Sequence, residues 1–321
     1  MLSTLIYCIN AVVPVFVIIA LGKLLSVKGG LGADFFKKLN RLVYLFLIPA
    51  ILFESIYSAD LYSSFDSGLI LFIAAATVAA FLLAFILGKS LIKDKRKAAS
   101  FTQGCFKGNY MFLAVPILGN LLGSEEMGKI MMAAPFIVII NNILAVLLFD
   151  FFGCKDGCAH KSFLMRLLDI LWGLVKNPFI LSVIIALPFP LLGIKLPQLI
   201  IKPISYIADV STTVALIGIG GVFYFDRLKR DFKIIFSSAL VKTLIAPLAS
   251  VLIAIAIGLR GTQLAIITLA MAAPAATNSY SVAITLGGDG DVAAGSVLMS
   301  TALSLITIVI FTAALKYLGL F

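Results

Sequence analysis

The chain has 321 residues, 62% of them hydrophobic and only 12% charged, with a mean hydropathy of +1.14. Such a composition excludes an ordinary soluble domain. The net charge of +10 points to membrane topology rather than to nucleic acid, because the basic residues cluster in alternate turns between apolar runs.

In chain order, ten spans are expected near residues 5–25, 40–58, 67–88, 98–122, 128–152, 176–194, 204–225, 234–258, 261–287 and 292–315. Leu69 to Gly88 and Val292 to Leu315 carry no charge, and each is long enough to cross a hydrocarbon core of about 30 Å. The first span has no basic residue before it and no small-residue cleavage site after it, so it reads as a retained helix and not a signal peptide. No loop exceeds about twenty-five residues, which leaves no room for a soluble catalytic domain. With the amino terminus outside, eighteen basic residues fall on the cytoplasmic side and five on the other, so both termini are expected outside.

Two spans are interrupted. The fourth contains GNYMFLAVP, Gly108 to Pro116, and the ninth contains APAATNSY, Ala273 to Tyr280. Glycine, asparagine and proline all weaken a helix, and a broken turn in hydrocarbon must find other partners for its backbone. Pro14, Pro49, Pro178, Pro188, Pro190 and Pro247 have no strong matched partner and read as kinks or helix ends.

The pentapeptide VIIAL occurs at Val17 to Leu21 and again at Val183 to Leu187, and an offset near 167 recurs at Tyr57 and Tyr224, at Gly128 and Gly295, and within two residues at Asn109 and Asn278. A repeat of five spans enters the membrane from the opposite side in its second copy. The expected fold is therefore an all-α polytopic membrane protein of two inverted five-helix repeats, with broken helices 4 and 9 crossing near the midplane. Residues 1–152 form the first repeat, 153–175 a cytoplasmic linker and 176–321 the second. Inverted repeats with matched breaks are the plan of many secondary transporters, whose binding sites lie at those breaks.

The candidate substrate-binding residues are Asn109, Tyr110 and Pro116 in the first break and Pro274, Thr277 and Asn278 in the second. Asn142 in the fifth span and Ser304 in the tenth, on one face with Ser300, are further candidates; the plainer alternative for the serines is helix packing. Lys107 and Lys242 lie nine or ten residues beyond basic span ends, roughly 14 Å into the bilayer. Charges at that depth are candidates for ion coupling or for pairing with an anion, the alternative being amines that reach carbonyls at a broken turn. Glu54 and Asp209 read as interfacial. Cys154, Cys158 and His160, in CKDGCAH, leave a tetrahedral zinc one ligand short, and no metal or other cofactor is expected.

Ten spans in two inverted fives, with GNYMFLAVP in the fourth and APAATNSY in the ninth, resemble the auxin efflux carrier family over essentially the whole chain. The resemblance implies a fold shared with sodium/bile-acid symporters and sodium/proton antiporters. Spans 1, 2, 6 and 7 would form a scaffold and a homodimer interface, and the other spans a transport domain that moves as an elevator. It implies an organic anion held at Asn109, Pro116, Pro274 and Asn278, and proton or sodium coupling. The short third cytoplasmic loop suits a bacterial member in the inner membrane, with dicarboxylates such as malate or malonate more suitable than auxin. Lys107 is not assigned by the resemblance.

A carrier of a small organic anion is the leading expectation, with no nucleic-acid partner. A cation/proton antiporter of the same fold would need a buried carboxylate at the crossover, and none stands near either break. A ligand sensor on a transporter fold is the other alternative. An intramembrane enzyme is disfavoured, since the spans hold no histidine and no pair of acids.

Overall fold

A computed structural model describes residues 2–58, 65–123, 126–153, 178–221 and 230–321. Nearly all of the expected linker, with Cys154, Cys158 and His160, lies outside these residues. Among them the protein is helical, with no strand beyond a single bridged residue pair.

Helix α1 runs from Leu2 to Val27. Helix α2 (Ala33–Leu42) continues through a π turn (Val43–Leu47) into α3 (Ile48–Ser58). Helix α4 (Ser67–Leu91) precedes a broken pair, α5 (Lys95–Phe106) and α6 (Val115–Leu122), with a π turn at Tyr110–Ala114 between them. Then come α7 (Met127–Phe151), the short α8 (Pro178–Ala186) and α9 (Pro188–Leu192), and α10 (Gln198–Gly221). Helix α11 (Phe232–Leu240) passes through a third π turn (Val241–Ile245) into α12 (Ala246–Ala256). A second broken pair, α13 (Gly261–Ala272) and α14 (Ser279–Thr285), leads to α15 (Gly290–Tyr317).

Among the described residues, six helical runs are long and apolar enough to cross a membrane. Large apolar side chains such as Leu71, Ile86, Leu199, Leu252 and Ile310 lie on the exterior, while Gln103, Lys107, Lys242 and Ser304 are buried. That arrangement suits a lipid surround, where the surface gains nothing from being polar. Aspartates start the helices that need caps: Asp66 accepts from Leu69 N–H, Asp94 from Arg96 and Lys97, and Asp289 from Val292.

The π turns explain Pro49 and Pro247, which the sequence leaves as kinks or helix ends, and Pro116, which it offers as a site residue. Pro49, Pro116 and Pro247 each stand two residues beyond one of them. A proline ring has no N–H and crowds the carbonyl four residues back, which here lies inside the widened turn. The extra residue lets the helix continue past the proline.

Two groups of helices pack with different chemistry. Helices α1, α3, α8 and α10 lean on one another, and α4, α5, α7 and α11 to α15 surround the two breaks. Helices α1 and α10 come closest, because Gly22 meets the Ile217 backbone and Gly220 meets the Ile19 carbonyl.

Candidate functional site

The two breaks meet. Lys107 to Asn109 leave the helical conformation, and so do residues 273–278. Gly108 pairs with Ala275 as an isolated antiparallel bridge: Asn109 N–H donates to the Pro274 carbonyl at 2.7 Å and Ala276 N–H to the Lys107 carbonyl at 2.8 Å. Ala275 N–H donates to Ser300 Oγ of α15 at 3.0 Å. The broken turns are thus satisfied largely by each other, the cheapest solution where no water competes. Gly108 and Ala275 lie 167 positions apart, the offset at which residues recur along the sequence.

In that antiparallel register Asn109 stands opposite Pro274, not Asn278. Asn109 is buried, whereas Asn278 is exposed and precedes α14 without capping it. Tyr110 is buried at the start of the π turn, and Pro116 is taken up in the first turn of α6, so the first break falls before the proline. Pro274 is buried inside the second break and Thr277 is half-buried beside it. Ser304 is buried and donates to the Thr301 carbonyl within its own helix.

Lys242 and Lys107 are both buried. Lys242 Nζ donates to the Met271 carbonyl at 2.8 Å, at the C-terminal end of α13. Carbonyls in a last helical turn lack helical partners and favour a cation, so this lysine braces the break. Lys107 Nζ has no hydrogen-bond partner among the described residues.

A cavity with room for about one water lies beside the bridge, walled by Thr77, Gly108, Tyr110, Asn141 and Lys242 with apolar neighbours. Asn141, not Asn142, turns into it, and Asn141 Oδ1 is buried without a partner among the described residues. Sequence reasoning missed Gln103, which is buried with both amide atoms unpaired among those residues. Its signal was a polar residue in an apolar span, four before Lys107.

These features define a polytopic membrane protein built around two broken helices with buried lysines and no buried carboxylate among the described residues. The profile of a family described as membrane transport protein matches residues 7–312. An uncharacterized transporter of Methanothermobacter thermautotrophicus is 27% identical over 95% of this chain and 98% of its own length. The uncharacterized transporter MJ1031 of Methanocaldococcus jannaschii is 20% identical over 94% and 97%. The uncharacterized transporter YfdV of Escherichia coli K12 is 24% identical over 86% and 88%. The chain belongs to the membrane transport protein family, the same family as the auxin efflux carriers its motifs resemble.

Proposed function

We propose that the protein is a secondary-active carrier of a small organic anion, with a dicarboxylate such as malonate or malate as the preferred class. One observation carries the anionic reading: among the described residues, the buried charged side chains are Lys107 and Lys242, and no Asp or Glu joins them. A buried cation without a countercharge is costly, and a substrate that brings the negative charge removes the cost when it binds. A cation/proton antiporter would need the opposite charge at this place.

The transport cycle is an alternating-access elevator of ten spans in two inverted halves. Helices α1, α2–α3, α8–α9 and α10 form the scaffold and the dimer contact, and the helices around the crossover move against them. Support comes from the equality between the bridge spacing and the repeat offset, and from the glycine-closed α1–α10 contact, which suits a rigid support. The orientation, with both termini outside a bacterial inner membrane, rests on the basic-residue count. An impermeant thiol reagent should label a terminal cysteine on intact cells; labelling only after lysis reverses it.

The test of function is uptake of labelled malonate, malate and succinate into proteoliposomes, with and without sodium and proton gradients. Saturable uptake of one of them is expected. Absence of organic-anion uptake, with uptake or release of inorganic cations instead, overturns the reading.

A further inference from the structure

The two buried lysines are not equivalent, and their difference locates a subsite. Lys242 has a protein partner, Met271 O at 2.8 Å. It also lies on the Gly108 side of the bridge, since a Cβ on Gly108 would stand 3.1 Å from Lys242 Nζ. Successive residues of an extended stretch point to opposite sides. Lys107 and Asn109 therefore face away from Lys242.

Lys107 belongs to a different corner. The last turn of α5 closes from Lys107 N–H to the Gln103 carbonyl at 3.1 Å, which sets Gln103 one turn back along the same helix. Gly104, next to Gln103, lets α15 approach so closely that a Cβ there would lie 2.8 Å from Ser296 Cβ and 3.0 Å from its Oγ. Helix α14, which begins at Ser279, packs against both α5 and α15. Gln103 Nε2 and Oε1, Lys107 Nζ, Ser279 Oγ and Ser296 Oγ are all buried, and none has a hydrogen-bond partner among the described residues. Buried polar atoms are nearly always paired. Four residues on three helices that pack together are left without partners, and such residues mark where something else supplies the pairing.

The chemistry of the set selects the guest. An ammonium and a primary amide offer five N–H donors, and two hydroxyls add two more. Acceptors are fewer, and no buried acid is present among the described residues. Such a corner fits a ligand made of acceptors with negative charge and poorly fits a metal cation. We propose that Gln103, Lys107, Ser279 and Ser296 form the subsite that holds one carboxylate of the substrate, with Lys107 as its countercharge, while Lys242 braces the crossover. This rests on the organic-anion reading above and assigns it residues that the asparagine pair alone does not include.

The experiment is thermal unfolding of the purified protein in potassium malonate, potassium acetate and potassium chloride at equal ionic strength, alongside malonate uptake in proteoliposomes. The wild type should melt higher in malonate than in chloride. Lys107→Met should lose that shift. Gln103→Glu is the sharper variant and guards against a misfolded Lys107→Met: it puts a carboxylate one turn from Lys107, so the protein supplies its own anion. It should melt higher than wild type in chloride, lose the malonate shift and cut uptake tenfold or more. A wild type that no carboxylate stabilises, with the corner filled by water only, overturns the proposal. So does a malonate shift that survives in both variants. Stabilisation without uptake keeps the subsite and sinks the carrier reading; uptake indifferent to both substitutions does the reverse.

Discussion

The α1–α10 contact and the crossover are both places where backbone approaches backbone within the helical body, and they solve the problem oppositely. Between α1 and α10 the helices stay intact and glycine removes the side chain: a Cβ on Gly220 would lie 1.8 Å from the Ile19 carbonyl, and one on Gly22 2.1 Å from the Ile217 carbonyl. At the crossover the helices themselves stop, and exposed amides and carbonyls pair across the break. Small-residue packing needs no polar group and suits a surface that must hold still. A break leaves polar groups wanting partners, and that need is what gives a ligand a handle.

The comparison is broken most severely at the glycines. Gly220→Leu should separate α1 from α10 at a cost of about 3 kcal/mol or more, as overpacking of a tight contact does, seen as a large drop in melting temperature in detergent. If the variant melts like wild type, the contact is not the support proposed. Next in size is Lys242→Met, which removes the cation at the end of α13 and leaves the Met271 carbonyl unpaired, for about 1–3 kcal/mol. Ser300→Ala takes away the acceptor of Ala275 N–H and should cost about 1–2 kcal/mol, with faster hydrogen exchange at the bridge.

The asparagines sharpen the functional side. Asn109→Ala should lower uptake about tenfold, equivalent to about 1.4 kcal/mol, with little loss of folded protein, and Asn278→Ala should do less, because Asn109 is buried and Asn278 exposed. Equal effects would mean that the transporting conformation buries Asn278 as well. Wild-type rates in both would remove the asparagines from the site.

The smallest effect is expected at the helix starts, where Lys97 Nζ meets Asp231 at 2.7 Å with both side chains partly exposed. Replacing either should change stability by less than about 1 kcal/mol. The hydrogen bond to Asp231 raises the lysine above its ordinary value of 10.5. The pair's contribution is therefore complete at neutral pH and is lost as pH climbs from 10.5 through that raised value. Melting curves of Asp231→Asn against wild type between pH 7 and pH 9 should run parallel; convergence inside that range would show that the pair titrates elsewhere.

What the amino-acid order determined by itself was whatever depends on local composition. Apolar length marks membrane helices, so the runs from Ser67 to Leu91 and from Gly290 to Tyr317 were legible to within a few residues. The two interruptions were legible because glycine and proline act on their own backbone, and counting residues along a helix from the basic span ends singled out Lys107 and Lys242, both of which are buried. The tertiary structure decided everything that depends on rotation or on a distant partner. Neighbouring residues on an α-helix point about 100° apart, so whether Asn141 or Asn142 turns inward cannot be read from two adjacent asparagines. The first break lies at Lys107 to Asn109 because the Pro274 carbonyl is there to accept from Asn109 N–H and Ala276 N–H to donate to the Lys107 carbonyl, while Pro116 is absorbed by a π turn. Gln103 became visible as unpaired only once the helices around α5 were in place, since burial is a property of the neighbours and not of the residue.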